Sequence, residues 1–175
     1  MLLIDQKEWF CKNIKSLENG MYRLSYSILK NEADAQDAVQ EAIYKSYKNL
    51  DTLKDKRKFK PWIYKIVTNT SFEILKNTKN YLDIEEENIQ AEKIDIETNL
   101  TLWETVQNLS QPYRTVITLF YYEDMSIKEI SKITGNSTDT IKKQLSRGRE
   151  KIKEVIKIWI FLQIGNLKKL QKKKI

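Results

Sequence analysis

The chain has no histidine and a single cysteine, Cys11, among its 175 residues. One cysteine rules out an intrachain disulfide and fits a reducing compartment. Without histidine, and with a lone thiol, a structural zinc site has no ligand set, so no metal and no cofactor are expected. Catalysis is poorly provided for too. There is no imidazole, no glycine-rich phosphate loop and no evident nucleophile–base pair, so the chain reads as a non-enzyme without a small-molecule substrate. Four glycines and two prolines are too few breakers for many short strands, which favours long helices with short connections. The longest nearly apolar stretch, 158–164, is far too short to span a bilayer. The first residues carry Asp5 and Glu8 and lack an apolar core, so they do not read as a signal peptide. An all-α protein of the cytoplasm is the expectation.

What is present is charge, unevenly placed. The net charge is +7, but residues 1–79 carry +5, residues 80–99 carry −6 and residues 100–175 carry +8. Two basic blocks joined by an acidic strap suggest two polyanion-binding units on a tether. The boundaries expected are therefore a first domain over 1–79, an acidic flexible linker over 80–99, a second domain over 100–156 and an apolar, basic tail over 157–175.

Apolar spacing supports helices in both blocks. Met21, Leu24, Ile28 and Leu29 recur at three- and four-residue intervals, as do Ala35, Ala38, Val39, Ala42 and Ile43 after a turn at residues 30–32. Residues 49–60 break the pattern with charge and read as a loop. Pro61 fits the first turn of a helix carrying Trp62, Ile63, Ile66, Val67, Ile74 and Leu75. The second block opens with Leu102, Trp103, Val106 and Leu109, followed by a helix through Val116, Ile117, Phe120 and Tyr121.

Ser126 and Glu129 have the spacing of a capping box, which starts a helix with Ile127, Ile130 and Ile133 on its buried stripe. Gly135 can adopt the positive φ that closes it, Ser137 can cap the next helix, and Asp139 suits that helix's first turn. Ile141 and Leu145 would face inward. The outward face then presents Thr138, Thr140, Lys142, Lys143, Gln144, Ser146, Arg147 and Arg149. Hydroxyl, amide and cationic groups of this kind read base edges and hold phosphates, and in a helix-turn-helix the second helix enters the major groove. The bland alternative is a helical hairpin with a solvated basic face.

Two segments resemble the extracytoplasmic-function (ECF) group of the sigma-70 family of bacterial RNA polymerase sigma factors. Asn31-Glu-Ala-Asp-Ala-Gln-Asp-Ala-Val-Gln-Glu41, followed by Phe59-Lys-Pro-Trp-Ile-Tyr-Lys-Ile-Val-Thr-Asn69, is similar to region 2. Leu109-Ser-Gln-Pro-Tyr-Arg114, Tyr122-Glu-Asp-Met-Ser-Ile-Lys-Glu-Ile130 and Thr140-Ile-Lys-Lys-Gln-Leu-Ser-Arg-Gly-Arg149 are similar to region 4. Both occur in the family's order over roughly residues 20–156. The resemblance implies two small helical domains, a region 2 bundle and a region 4 helix-turn-helix domain, and a role in promoter-specific transcription initiation.

Carried over residue by residue, the resemblance implies that Asp34, Asp37, Gln40 and Glu41 dock on the β′ clamp of core RNA polymerase. The loop and helix that follow would capture the −10 element, through Lys56, Arg57, Lys58, Lys60, Trp62, Tyr64, Lys65, Asn69 and Lys76. Cations can follow a strand's backbone while amide and aromatic groups hold an unstacked base. Thr138, Thr140, Lys142, Lys143, Ser146, Arg147 and Arg149 would read the −35 element. The implied partners are core polymerase (β′ clamp and β flap), promoter DNA and an anti-sigma factor, in this group often membrane-bound. The alternative function is a conventional helix-turn-helix regulator that acts without replacing a sigma factor. The tail, 157–175, exceeds the resemblance, and packing on the second domain is expected of it.

Overall fold

The computed structural model describes residues 2–82 and 101–172, with side chains described for 6–78 and 101–160. The expected linker, 80–99, therefore lies almost wholly outside the described residues. Within them the chain is all-α, and no strand is present.

The first half is a three-helix bundle of α1 (Leu2–Leu29), α2 (Glu32–Lys48) and α3 (Phe59–Leu82). Phe10, Ile14, Met21, Leu24 and Ile28 of α1 are buried. With the partly buried Leu17 between them they alternate four- and three-residue steps, the spacing that keeps one seam of a helix against its neighbours. Small residues do the matching work on α2, where Ala35, Ala38, Ala42 and Ser46 are buried and let the backbones approach closely. Lys30, at φ 55, turns the chain between the two helices. The Asn31 side chain then caps α2 by accepting from the Asp34 N–H at 3.0 Å. Residues 49–58 form two short 3₁₀ turns, Leu50–Thr52 and Lys56–Lys58. The expected loop is thus shorter than residues 49–60, because Phe59 and Lys60 already belong to α3. Phe59 is buried at the centre of an aromatic cluster, with ring centroids 5.0 Å from Trp9 and 5.9 Å from both Phe10 and Trp62. Burying rings at that point draws the end of the loop inward and fixes where α3 begins.

The second half comprises α4 (Leu102–Gln107), α5 (Tyr113–Ile117) running into a π-helical turn (Thr118–Tyr122), α6 (Ile127–Thr134) and α7 (Thr138–Lys172). Its hub is Arg114. This side chain is only 8% exposed, and its guanidinium donates to the carbonyls of Gln107 at 3.0 Å and Leu109 at 3.1 Å. Those bonds tie α5 to the end of α4. Gly148 of α7 is buried against α5, where a Cβ would stand 3.0 Å from Ile117 Cγ1. Its lack of a side chain therefore serves close helix packing as well as lowering helix propensity.

The two halves touch. α1 packs on α5 and on the π-helical turn, and α3 packs on α6. Buried apolar residues of both halves form one contiguous cluster. The expectation of two units on a tether is thus only part of the picture, because the sequence pattern gave no sign of their mutual contact.

Candidate nucleic-acid interface

The helix-turn-helix forms as its sequence dictates. The Ser126 hydroxyl accepts from the Glu129 N–H at 3.3 Å and the Glu129 carboxylate accepts from the Ser126 N–H at 2.8 Å, closing the capping box. That bonding holds the Glu129 carboxyl below its ordinary range, the Ser126 side-chain bond being the largest cause. Gly135 ends α6 in the left-handed region at φ 74. Ser137 caps α7 by accepting from the Thr140 N–H at 3.1 Å. Ile130, Ile133, Ile141 and Leu145 are buried between the two helices, as their spacing requires.

Packing those four residues inward leaves the opposite face of α7 in solvent. Lys142, Lys143, Ser146, Arg147 and Arg149 are exposed, while Thr138 and Thr140 are half-buried at the helix start. Lys142 lies 3.2 Å from Asp139, but both side chains are more than half exposed, so the pair is easily exchanged for a phosphate. The Thr140 hydroxyl is 2.9 Å from the Ser137 hydroxyl, which partly occupies it in capping. Gln144 does not share this face fully, since its side-chain oxygen is buried and unpartnered.

The −10 candidates divide. Lys65, Asn69 and Lys76 are exposed on one stripe of α3, together with Phe72, which is 40% exposed. Spacing of four, three and four places two cations, an amide and an aromatic ring along one line, the composition of a single-strand track. Phe72 was missed in the sequence, although its helical spacing from Lys65 could have found it. Trp62 is half-buried beside this stripe. With Ile66, Asn69 and Lys45 it lines a groove of about 470 Å³ between α2 and α3. Tyr64, however, is fully buried and its hydroxyl donates to Glu123 at 2.5 Å. Burial first, and that bond second, push its pKa well above the usual phenol value. In this arrangement Tyr64 cannot contact DNA.

The loop cations are less free than their repulsion suggested. Arg57 pairs with both oxygens of Asp55 at 3.1 Å, which lowers the aspartate's pKa. Lys56 sits 4.8 Å over the Trp9 ring and Lys60 donates to the Glu123 carbonyl at 2.6 Å. Three of the four thus have local partners, although Lys56, Arg57 and Lys58 remain exposed and the Arg57 pair, like that of Lys142, is open to exchange.

On α2, Asp37, Gln40 and Glu41 are exposed and Asp34 is half-buried. Tyr44, 53% exposed, continues the same stripe and was not singled out in the sequence. Lys45 draws Glu41 (3.7 Å) and Glu73 of α3 (2.8 Å) together, which raises the lysine's pKa chiefly through the Glu73 bond. A second unanticipated surface lies on the second half. Leu102, Val106, Ile117, Tyr121, Ile152 and Ile156 line an apolar groove of about 560 Å³ between α4, the π-helical turn and α7. The tail continues α7 instead of folding back over residues 157–160, and Ile156, Ile158 and Ile160 remain exposed. Side chains beyond residue 160 lie outside the described residues. No group of metal-binding side chains occurs among the described residues, and no described helix is long and apolar enough to cross a membrane.

Known proteins share this arrangement. Residues 14–80 match the family model for sigma-70 region 2, and residues 99–152 match that for sigma-70 region 4. The chain is 36% identical over 133 residues to the RNA polymerase sigma factor SigV of Bacillus subtilis, covering 74% of this chain and 80% of that protein. It is 28% identical over 166 residues to the ECF RNA polymerase sigma factor SigW of the same organism, covering 85% and 89%. Among solved structures it is similar to the sigma factor RpoE of Bartonella quintana, crystallised with the anti-sigma factor NepR. The TM-score is 0.71 at 19% identity, over 85% of this chain and 97% of that one.

Proposed function

Because the chain belongs to the sigma-70 family of RNA polymerase sigma factors, in its ECF group, we propose that it joins core polymerase and directs initiation at promoters whose −35 and −10 elements its two halves read. The observation that carries this reading is the coexistence of two separate nucleic-acid faces in one chain. The exposed basic face of α7 suits duplex DNA, and the Lys65–Asn69–Phe72–Lys76 stripe of α3 suits a single strand. On this reading Lys142, Lys143, Ser146, Arg147 and Arg149 enter the major groove while Thr138 and Thr140 sit at the helix start. Lys65, Asn69, Phe72 and Lys76 track the displaced strand, with Trp62 and its groove beside them. Extracting a base from the duplex costs a few kcal/mol, and a stripe that stacks and hydrogen-bonds the freed base offsets it.

Protein partners have their own surfaces. The exposed acidic stripe of Asp37, Gln40 and Glu41, extended by Tyr44, is assigned to the β′ clamp. The apolar groove on the second half suits the β flap, since an exposed apolar groove of this kind marks a protein-docking face. An anti-sigma factor is assigned as the regulatory partner. RpoE is crystallised with one, and a second similar structure is CnrH with the cytosolic domain of CnrY. A membrane-bound anti-sigma factor would hold the chain at the membrane from the cytoplasmic side. A conventional helix-turn-helix regulator is not favoured, because such a protein has no use for a region 2 bundle.

Purified protein added to core polymerase should yield transcripts from a common two-element promoter in a genomic library, only when both components are present. Tight duplex binding by the protein alone, with no association with core polymerase, would refute the assignment.

A further inference from the structure

We propose that the far end of α7, with the lysine-rich sequence that follows it, seats the chain directly on an anionic membrane surface, with no membrane-bound partner needed. The proposal goes beyond the sigma-factor reading and does not depend on it.

α7 opens as the second helix of the helix-turn-helix and continues to Lys172, far beyond that motif. Over 152–160 its apolar residues are Ile152, Val155, Ile156, Ile158, Trp159 and Ile160. At about 100° per residue they fall on an arc of about 200° centred on Trp159, with Lys153, Glu154 and Lys157 on the other side. A helix that packs only on its own domain needs a stripe about 100° wide. The middle of the arc meets that need, since Ile152, Val155 and Trp159 are half-buried. The edges are left over. Ile158 is 50% exposed and Ile160 46% exposed, and neither lines the apolar groove assigned to the β flap. Water is a poor environment for two isoleucines on opposite edges of one helix.

Charge selects what covers them. Glu154 is the last acidic residue in the sequence, and residues 157–175 carry six lysines, a net +6. Duplex DNA would accept the lysines but offers little apolar surface to an isoleucine edge. A second copy of the chain would offer apolar surface but would bring the same +6 against itself. A bilayer of anionic lipid satisfies both demands: acyl chains take the apolar arc and headgroup phosphates take the lysines. Tryptophan, apolar in body with one N–H to donate, suits the boundary between those layers. The uninterrupted apolar run, residues 158–162, is five residues long where about 20 are needed to cross. The helix therefore lies along the surface instead of passing through it. Each lysine near such a surface strengthens binding about fivefold, and salt screens that part of the attraction.

Flotation of the full chain with lipid vesicles tests this. With equal parts of phosphatidylcholine and phosphatidylglycerol the protein should float at low salt, and with phosphatidylcholine alone it should not. Ile158→Asp combined with Ile160→Asp should weaken flotation by about tenfold or more, with helix content and duplex binding unchanged. Replacing Lys168, Lys169, Lys172 and Lys173 by glutamine should weaken it as much and remove most of its salt dependence. Absence of flotation with the anionic vesicles would overturn the proposal. So would flotation that the aspartate substitutions leave intact, because attraction of charge alone would then account for it. Loss of duplex binding in the glutamine variant with flotation retained would make the tail a DNA-phosphate contact instead. A parent that sediments as a dimer, beside an aspartate variant that sediments as a monomer, would give the arc to a second copy. Flotation involves neither polymerase nor promoter, so its failure leaves the sigma-factor reading standing.

Discussion

Replacing Arg114 by methionine tests how the second half is organised. The guanidinium donates to three carbonyls, those of Ser27, Gln107 and Leu109, and has no acidic partner among the described residues. Burial disfavours its charge and lowers its pKa. Methionine would fill much of the space and return no donor. Ser27 keeps the Gln111 bond, so the Gln107 and Leu109 carbonyls would lose their side-chain donor. A buried polar group left unsatisfied costs about 1–3 kcal/mol, which gives roughly 2–6 kcal/mol for the pair. Relief of the desolvated charge offsets part of this, and a net loss of about 2–4 kcal/mol is expected. With a urea m-value near 2 kcal/mol/M the midpoint should fall by about 1–2 M. Urea denaturation followed by circular dichroism measures the shift, and hydrogen exchange should localise it to α4 and α5. Arg114→Lys should recover little, because one ammonium cannot replace a planar fork of donors. A loss below about 1 kcal/mol, or full recovery with lysine, would refute the idea that this side chain organises the fold.

Three further perturbations follow from the same geometry. Arg147→Ala should weaken duplex binding and reduce the salt dependence by about one counterion, read from affinity against salt concentration. Phe72→Ala should weaken single-strand binding in the open complex by about 1–3 kcal/mol and leave duplex binding by α7 intact, as measured on pre-melted against closed templates. Ser126→Ala should cost about 1 kcal/mol at neutral pH through loss of the α6 cap. Because Glu129 has its folded pKa lowered, the cap's electrostatic part is present above the unfolded value near 4.3 and is lost as pH falls through the folded value. The difference between Ser126→Ala and the parent should therefore shrink between pH 5 and pH 3 on urea titration.

Local chemistry made much of this legible in the sequence. The capping box at Ser126 and Glu129, the left-handed Gly135 and the inward Ile141 and Leu145 all depend on residues within a turn or two of each other. So does the exposed basic face of α7, which is what remains once the apolar positions point inward. Tyr64 stands among the −10 candidates yet is buried in this arrangement, because helical spacing says which residues share a face, not what covers that face. Its partner Glu123 lies 59 positions away. The local partners of Lys56, Arg57 and Lys60 were hidden for the same reason, since an aromatic ring, a neighbouring carboxylate and a distant carbonyl are invisible to a charge count. Phe72 and Tyr44 could have been found by extending stripes already drawn through Lys65 and Glu41. The apolar groove beside α7 needed the structure, because its walls come from three separate segments.

The π-helical turn at Thr118–Tyr122 closes with the Glu123 N–H donating to the Thr118 carbonyl at 3.2 Å, a span of five residues where an α-helix uses four. A turn of that kind is an α-turn with one residue let in, and each α-helical residue advances the chain by about 100°. Glu123 therefore meets Arg23 and Tyr64 through a phase setting as much as through its own chemistry. Removing any one residue from this turn would leave Glu123 in place by name and swing it about a quarter-turn or more from its partners. At this point the chain's length is itself a determinant of recognition, and aligning relatives here by residue type alone would pair side chains that face different ways.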